Sequence, residues 1–241
     1  GVLGGRCRWA VSGSAPLGKR LNHFYRAIGV TILEGYGLTE TTAPVSVGRP
    51  SKFKIGTTGP ALPGVSVRIA DDGEIQVRGN NVFAGYWNNP EATAQVMDGE
   101  WFATGDIGTM DEDGYLWYVG RNDDVIKSSG YRIGPFEIES VLLEHDAVRE
   151  CAVTGVPDPV RGKAVKATVV LADGFEGSEV LVRELQQWVK QRTAPYKYPR
   201  IVEFVDALPK TVNGKIRRAA IREADESQEG KPKTKVPEGL V

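Results

Sequence analysis

The chain has 241 residues, 41% of them hydrophobic and 25% charged, and its 30 Lys and Arg nearly balance 31 Asp and Glu for a net charge of −1. That length accommodates one or two domains with a sizeable core, and the balanced charge gives no global attraction to nucleic acid or to an anionic membrane. No apolar run approaches the roughly 20 residues of a bilayer span and no charged-then-apolar leader opens the sequence, so the cytoplasm is the expected compartment.

The first element is "CRWAVSG", residues 7–13, read as a short buried strand. "PLGKRLNHFYRAIG", residues 16–29, follows as a helix, with Leu17, Leu21, Phe24, Tyr25 and Ile28 recurring on a core face and Gly29 as its stop. "VTILEGYG", residues 30–37, is the second strand. Strand, helix and strand make a βαβ unit with parallel strands, and ligands in such sheets bind outside the carboxyl ends of the strands. Both "SGSAP" and "EGYGLTE" fall there. Two parallel strands cannot cover both faces of their own sheet, and the sequence opens almost directly into one of them. The chain is therefore expected to be the C-terminal portion of a larger protein, or to be completed by another chain.

From Gly13 the sequence spells G-S-A-P-L-G-K-R, a P-loop pattern with its last position changed. Arg20 offers no cation-binding hydroxyl, Pro16 removes an amide that should face phosphate, and Leu17 already begins the core face. Lys19 then falls inside the helix, facing solvent. What survives is a strand-end turn, Ser14-Ala15-Pro16.

Beyond Gly56 the pattern changes to short alternating strands. "VSVRIADDGEIQVRG" is a hairpin around Asp72-Gly73 and "TMDEDGYLWYVG" another around Asp113-Gly114, which together predict a small antiparallel sheet or barrel. "RNDDVIKSSGYRIGP", residues 121–135, reads as a linker plus loop. After it come a helix "FEIESVLLEHDAV", strands "ECAVTGV" and "VKATVVLA", a helix "SEVLVRELQQWVKQRT" and a strand "RIVEFVD", an α+β module of ordinary domain size. From about Arg222 the chain is rich in Glu, Lys, Gln and Pro, as expected of a disordered tail. The expected fold is thus α/β plus α+β. Residues 1–121 hold the βαβ unit and the small antiparallel sheet, 122–221 a compact α+β domain, and 222–241 the tail.

Only two cysteines and two histidines occur. Cys7 and Cys151, each in an apolar strand-like run, read as reduced core thiols rather than a disulfide. His23 and His145 fall in helical patterns. Neither the His/Cys spacing of a metal centre nor a G-x-S-x-G elbow occurs, which argues against zinc chemistry and triad hydrolysis.

Four segments carry candidate chemistry. In "GYGLTETT", Gly35 and Gly37 permit close backbone approach, Tyr36 offers a flat face, and Thr39 and Glu40 add a hydroxyl and a carboxylate. A nucleotide site needs those types together, although a glycine turn with a capping Thr and a solvated Glu would use the same residues. In "WFATGDIG", Asp106 could accept hydrogen bonds from both hydroxyls of a ribose, or merely close an Asx turn. In "LPKTVNGKIRR", Lys215 follows an Asn-Gly turn, as a point charge able to reach a carboxylate or phosphate or as an exposed basic turn. In "GRNDDVIKSSGYRIGPFEIE", Ser129, Gly130, Tyr131 and Arg132 make a tight loop with one cation, and Asp123 and Asp124 lie where one domain gives way to the next. A polar linker would also fit that segment.

These motifs, in this order from about Arg6 to Arg218, resemble the adenylate-forming superfamily of acyl-CoA synthetases, which also includes carrier-protein-loading adenylation domains and luciferase. The resemblance implies a two-step reaction: a carboxylate attacks the α-phosphate of Mg·ATP to give an acyl-adenylate, and the CoA thiol then displaces AMP. It implies that Ser14, Ala15 and Pro16 border the adenine and that Tyr36, between Gly35 and Gly37, lies against its face. Thr39 would touch the α-phosphate, Glu40 would hold Mg²⁺, and Asp106 would clasp the ribose with Arg121 close by. Lys215 would reach the reacting carboxylate. For the second step the C-terminal domain would rotate about Asp123, bringing Ser129-Gly130-Tyr131 to a CoA tunnel with Arg132 near nucleotide phosphate.

The family's Ser/Thr/Gly-rich loop ending in Lys, and most of its acyl pocket, would lie upstream of this sequence. The chain alone is therefore expected to be incomplete as a synthetase. Its first forty residues resemble bacterial long-chain fatty acid ligases, and "GRNDDVIKSSGYRIGP" resembles medium-chain and related acid ligases, which leaves the chain length of the acid open. A carrier-loading adenylation domain and a non-catalytic nucleotide- or CoA-binding fragment are the alternatives.

Overall fold

The computed structural model describes residues 4–212 and 214–227. The chain divides into two compact units, Gly1–Asp123 and Asp124–Val241, each with its own hydrophobic cluster.

In the first unit, β1 (Trp9–Ser12), α1 (Lys19–Ala27), β2 (Thr31–Leu38) and β3 (Ala43–Val47) build a three-stranded sheet of order β1-β2-β3. β1 and β2 are parallel, with Trp9 opposite Thr31 and Ser12 opposite Glu34, and β3 returns antiparallel to β2. The βαβ unit is present, but its expected burial is not. Trp9, Leu21 and Phe24 are 53%, 45% and 55% exposed, and Val11 and Ile28 are exposed too. β1 is an edge strand with β2 alone beside it. α1 meets β2 through a buried polar residue, Asn22, whose amide donates to the Ile32 carbonyl and to Glu34. The periodicity of α1 marked an apolar face, but not one that β2 covers.

The second sheet of this unit is antiparallel and five-stranded. β4 (Val65–Ile69), β5 (Glu74–Gly79), β7 (Trp101–Met110) and β6 (Met97–Asp98) run in the order β4-β5-β7-β6, with β8 (Leu116–Arg121) also paired to β7. Both expected hairpins form. At the second, Asp111 accepts from the amides of Asp113 and Tyr115, the Trp117 indole and Lys54. Lys54 first, then the Tyr115 amide and the Trp117 indole, hold its carboxyl down at about 2. The short helix α2 (Pro90–Val96), capped by Asn89, was not expected.

In the second unit, β11 (Val148–Asp158), β12 (Gly162–Leu171) and β13 (Ile201–Phe204) form a sheet, β12–β13 being parallel. α3 (Pro135–Leu142) and α4 (Glu179–Arg192) pack their apolar faces on it. Two expectations need correction. Residues 126–133 are not a linker: Ile126–Ser128 and Tyr131–Ile133 are β9 and β10, an antiparallel ribbon whose Ile126 and Ile133 lie in the core while Lys127 and Arg132 face outward. Nor does order end at 221, because α5 (Arg218–Ser227) continues through the first six residues assigned to the tail. Its Ile221 and Asp225, one turn apart, dock on the sheet, Asp225 ion-pairing with the buried Lys166 at 2.5 Å. The rest of the expected tail, residues 228–241, lies outside the described residues.

Cys151 is buried as expected, whereas Cys7 is half-buried and precedes β1. Among the described residues, no helix is long and apolar enough to cross a membrane.

Candidate functional site

In the first unit the candidate residues cluster around the end of β2. A side chain at Gly37 would put its Cβ 1.7 Å from the Ala43 carbonyl oxygen, so only glycine lets β2 and β3 meet there. The following 3-10 turn, Thr39–Thr41, is fixed from inside by the fully buried Thr41. Its hydroxyl accepts from the Leu38 amide at 2.9 Å and faces the Leu38 and Ala43 carbonyls at 3.0 Å. Thr42 and Ala43 then take positive φ (53° and 75°) to reverse the chain. The result is an exposed Thr39 and a half-buried Glu40 standing on a rigid turn.

Glu40 is held from a segment that sequence reasoning passed over. The Tyr86 hydroxyl donates to Glu40 Oε1 at 2.9 Å, and the Phe83 amide donates to the Glu40 carbonyl at 2.7 Å. Asn81 bridges to Thr41 and Thr42. The strap of residues 81–86 aims the carboxylate and leaves Oε2 outside these bonds.

Tyr36 is not an exposed platform. It is buried with Val45, Ile75, Val77 and Leu116 and leans on Tyr118. Its hydroxyl donates to Asp106 Oδ2 at 2.7 Å, joining two motifs 70 residues apart. Asp106, also buried, sits on β7 opposite Arg121 on β8. Burial pushes its carboxyl above the ordinary range, opposed by the hydrogen bond from Tyr36, the charge of Arg121 and a hydrogen bond from Tyr118. Two tyrosine hydroxyls use about half the lone-pair sites of a carboxylate, which leaves acceptors for a ribose diol. Arg121 ion-pairs with Asp123 at 3.1 Å.

Ser14, Ala15 and Pro16 form the exposed turn after β1, at the carboxyl end of the parallel pair, with Ser14 at a left-handed φ of 68°. Gly35 faces β3, its missing Cβ 3.3 Å from the Ser46 carbonyl. A second unanticipated residue, Glu34, holds the turn: its buried carboxylate accepts from the Leu17 amide at 3.2 Å and from Asn22. Burial raises its pKa, opposed first by the Leu17 amide and then by Asn22. Lys19 belongs to α1, not to a phosphate loop, and lies 5.3 Å from the Trp117 ring centroid.

In the second unit, Ser129 and Gly130 are the two-residue tip of the β9–β10 ribbon, both with positive φ (49° and 82°). That is the signature of the tight turns matching the twist of a hairpin. A Cβ on Gly130 would meet nothing within 4 Å, so φ rather than space calls for glycine. Tyr131 stacks on Tyr196, centroids 3.9 Å apart and planes 13° from parallel. Arg132 points outward beside it. Lys215 stands exposed on a separate turn, closed by the Thr211 amide donating to its carbonyl at 2.8 Å and by its own amide donating to Thr211 Oγ1 at 3.1 Å.

The AMP-binding enzyme family matches residues 2–87, and the AMP-binding enzyme C-terminal domain matches residues 137–215. The acyl-coenzyme A synthetase ACSM4, mitochondrial, of Rattus norvegicus is 46% identical over 238 residues, 91% of this chain but 41% of the relative. The anthranilate CoA ligase AuaEII, solved in complex with anthranoyl-AMP, superposes with a TM-score of 0.79 at 38% identity over 90% of this chain and 44% of its own. ATP-bound MatB from Rhodopseudomonas palustris gives 0.74 at 36% identity, over 89% and 44%. The chain thus spans less than half the length of these relatives, and within that span both of the family's domains are matched in order. The chain belongs to the AMP-binding, adenylate-forming enzyme family.

Proposed function

We propose that this chain supplies the nucleotide-facing residues and the mobile C-terminal domain of an AMP-forming acid–CoA ligase, which activates a carboxylic acid, of the fatty-acid class, as an acyl-adenylate and then as a CoA thioester. The observation that carries this reading is the Tyr36–Asp106 hydrogen bond. It ties the strand leading to Thr39 and Glu40 to the strand bearing Asp106 and opposite Arg121, gathering separate motifs into one site.

In the first step Ser14, Ala15 and Pro16 border the adenine, and Asp106, held by the buried Tyr36 hydroxyl, accepts the ribose hydroxyls. Thr39 donates to an α-phosphate oxygen. The acid's carboxylate oxygen attacks the α-phosphorus and pyrophosphate leaves, while Lys215 neutralises charge at the reacting carboxylate and bridging oxygen. Such transfers depend on positioning and preorganised charge rather than on a base. Glu40 fits a hard divalent cation, being an oxygen donor steered by Tyr86. Among the described residues no group of three or more His, Cys, Asp or Glu could hold a metal ion, so phosphate and water oxygens would complete the coordination of Mg²⁺ at Glu40. Bound there, the cation neutralises phosphate charge.

In the second step the thiol sulfur of CoA attacks the acyl carbon and AMP leaves. We assign the change of step to rotation about Asp123, with Lys215 withdrawn and the Ser129-Gly130-Tyr131 tip brought to the thiol arm, Arg132 lying near phosphate. The test separates the half-reactions in the complete gene product. Lys215→Ala should abolish acid-dependent pyrophosphate exchange yet spare thioester formation from supplied acyl-adenylate, and Gly130→Leu should do the reverse. Equal loss of both half-reactions in either variant contradicts the division of labour.

A further inference from the structure

Three residues beyond Lys215, the chain enters a set of ion pairs that the proposed chemistry does not use. Asp124, the first residue of the second unit, pairs with Arg222 at 2.6 Å and with Arg218 at 3.7 Å. Arg218 also forks onto Glu139, with Nη2 to Oε2 at 2.7 Å and Nε to Oε1 at 3.1 Å. Glu139 is buried and accepts the Val153 amide at 2.8 Å, which fixes it to both α3 and β11. The Lys215 turn is joined to this set through its base, where Lys210 bridges Ile216 and the Arg217 amide donates to the Pro209 carbonyl at 2.8 Å.

Two features distinguish this set from ordinary surface pairing. The side chains of Asp124, Arg218 and Arg222 are each less than a quarter exposed, and the Arg218 fork is directional in a way a lysine could not match. Docking of α5 also has a separate anchor, Asp225 on Lys166, so Asp124–Arg222 is not needed merely to hold the helix. Its distinctive property is its ends: one at the first residue of the second unit, the other on α5, the helix that begins three residues after Lys215. We propose that Asp124, Glu139, Arg218 and Arg222 form a clamp that fixes the Lys215 turn to the junction, so that the position of the junction sets the position of the lysine. These four are positioning residues, and the proposal rests on the reading of Lys215 as the adenylation lysine.

The test uses Asp124→Asn and Arg222→Gln in the complete gene product. Each should slow acid-dependent pyrophosphate exchange about tenfold to a hundredfold, the scale of an ångström-level misplacement. KM for acid and ATP, and thioester formation from supplied acyl-adenylate, should stay within about twofold. Amide hydrogen exchange should quicken in the Thr211–Lys215 turn, and Arg222→Lys should recover most of the rate. Unchanged pyrophosphate exchange, or equal loss in both half-reactions, overturns the clamp. Lys215→Ala in parallel separates the failures: if it keeps pyrophosphate exchange, the role of the lysine falls and the clamp's purpose with it. If it loses exchange while the Asp124 and Arg222 variants behave as wild type, the clamp alone falls.

Discussion

Replacing Tyr36 by Phe deletes one hydroxyl and leaves the ring in its apolar cluster. The lost bond is short, 2.7 Å, and both partners are under 10% exposed. A buried hydrogen bond to a charged group contributes about 1.5–3 kcal/mol, against about 0.5–1.5 kcal/mol for a neutral pair. The deficit in unfolding free energy should therefore depend on pH. Burial already raises the Asp106 carboxyl and the Tyr36 hydroxyl opposes that rise, so its removal pushes the carboxyl higher still. A folded-state pKa above the unfolded one means that the folded chain holds the extra proton. Stability then declines as pH climbs from the ordinary carboxyl range through the raised value, and Tyr36→Phe extends that decline upward.

The same shift should appear in ligand binding, because the ionised carboxylate is the better acceptor for a ribose diol. Calorimetric titration with AMP across pH should show the variant's affinity failing at a higher pH than wild type as acid is added. Denaturant unfolding should show a deficit that grows toward neutral pH. A pH-independent deficit below about 0.5 kcal/mol, with an unmoved binding midpoint, would refute the reasoning.

Tyr86→Phe should raise the Mg²⁺ concentration needed for ATP binding about tenfold, the usual scale for losing a group that orients a metal ligand. AMP binding without metal should be unaffected, and an unchanged Mg²⁺ dependence would remove Tyr86 from the account. Gly37→Ala should destabilise the first unit by about 3 kcal/mol or more, because its Cβ falls on the Ala43 carbonyl. Gly130→Ala, strained in φ but facing open space, should cost about 1–2 kcal/mol. Equal, small losses at the two glycines, read by denaturant unfolding, would contradict the distinction.

Much of this arrangement was legible in the sequence because short-range chemistry specifies it. Asp72-Gly73 and Asp113-Gly114 mark their hairpins through turn geometry, and the spacing of apolar residues marks α3, α4 and the long strands. What failed were inferences needing tertiary partners. The apolar stripe of α1 predicted burial, yet Asn22 is the residue that meets β2. "VIKSSGYRI" looked polar enough for a linker, although alternation around a Ser-Gly tip is also how a two-stranded ribbon reads. Arg222 and Asp225 looked like tail charges until their partners Asp124 and Lys166, each at least 59 positions away, came into view. Tyr86 and Glu34 escaped notice for a similar reason. Each acts through a hydrogen bond to an element distant in sequence, and no local pattern announces such a bond.

The central claim is that these residues serve an adenylating ligase rather than a passive nucleotide binder. The most direct measurement is pyrophosphate exchange into ATP by the complete gene product, across a panel of carboxylic acids with hydroxylamine trapping of the activated acyl group. The account expects exchange that depends on the acid, with acyl-CoA and AMP in equal amounts once CoA is added. Tight nucleotide binding with no acid-dependent exchange from any member of the panel would contradict it.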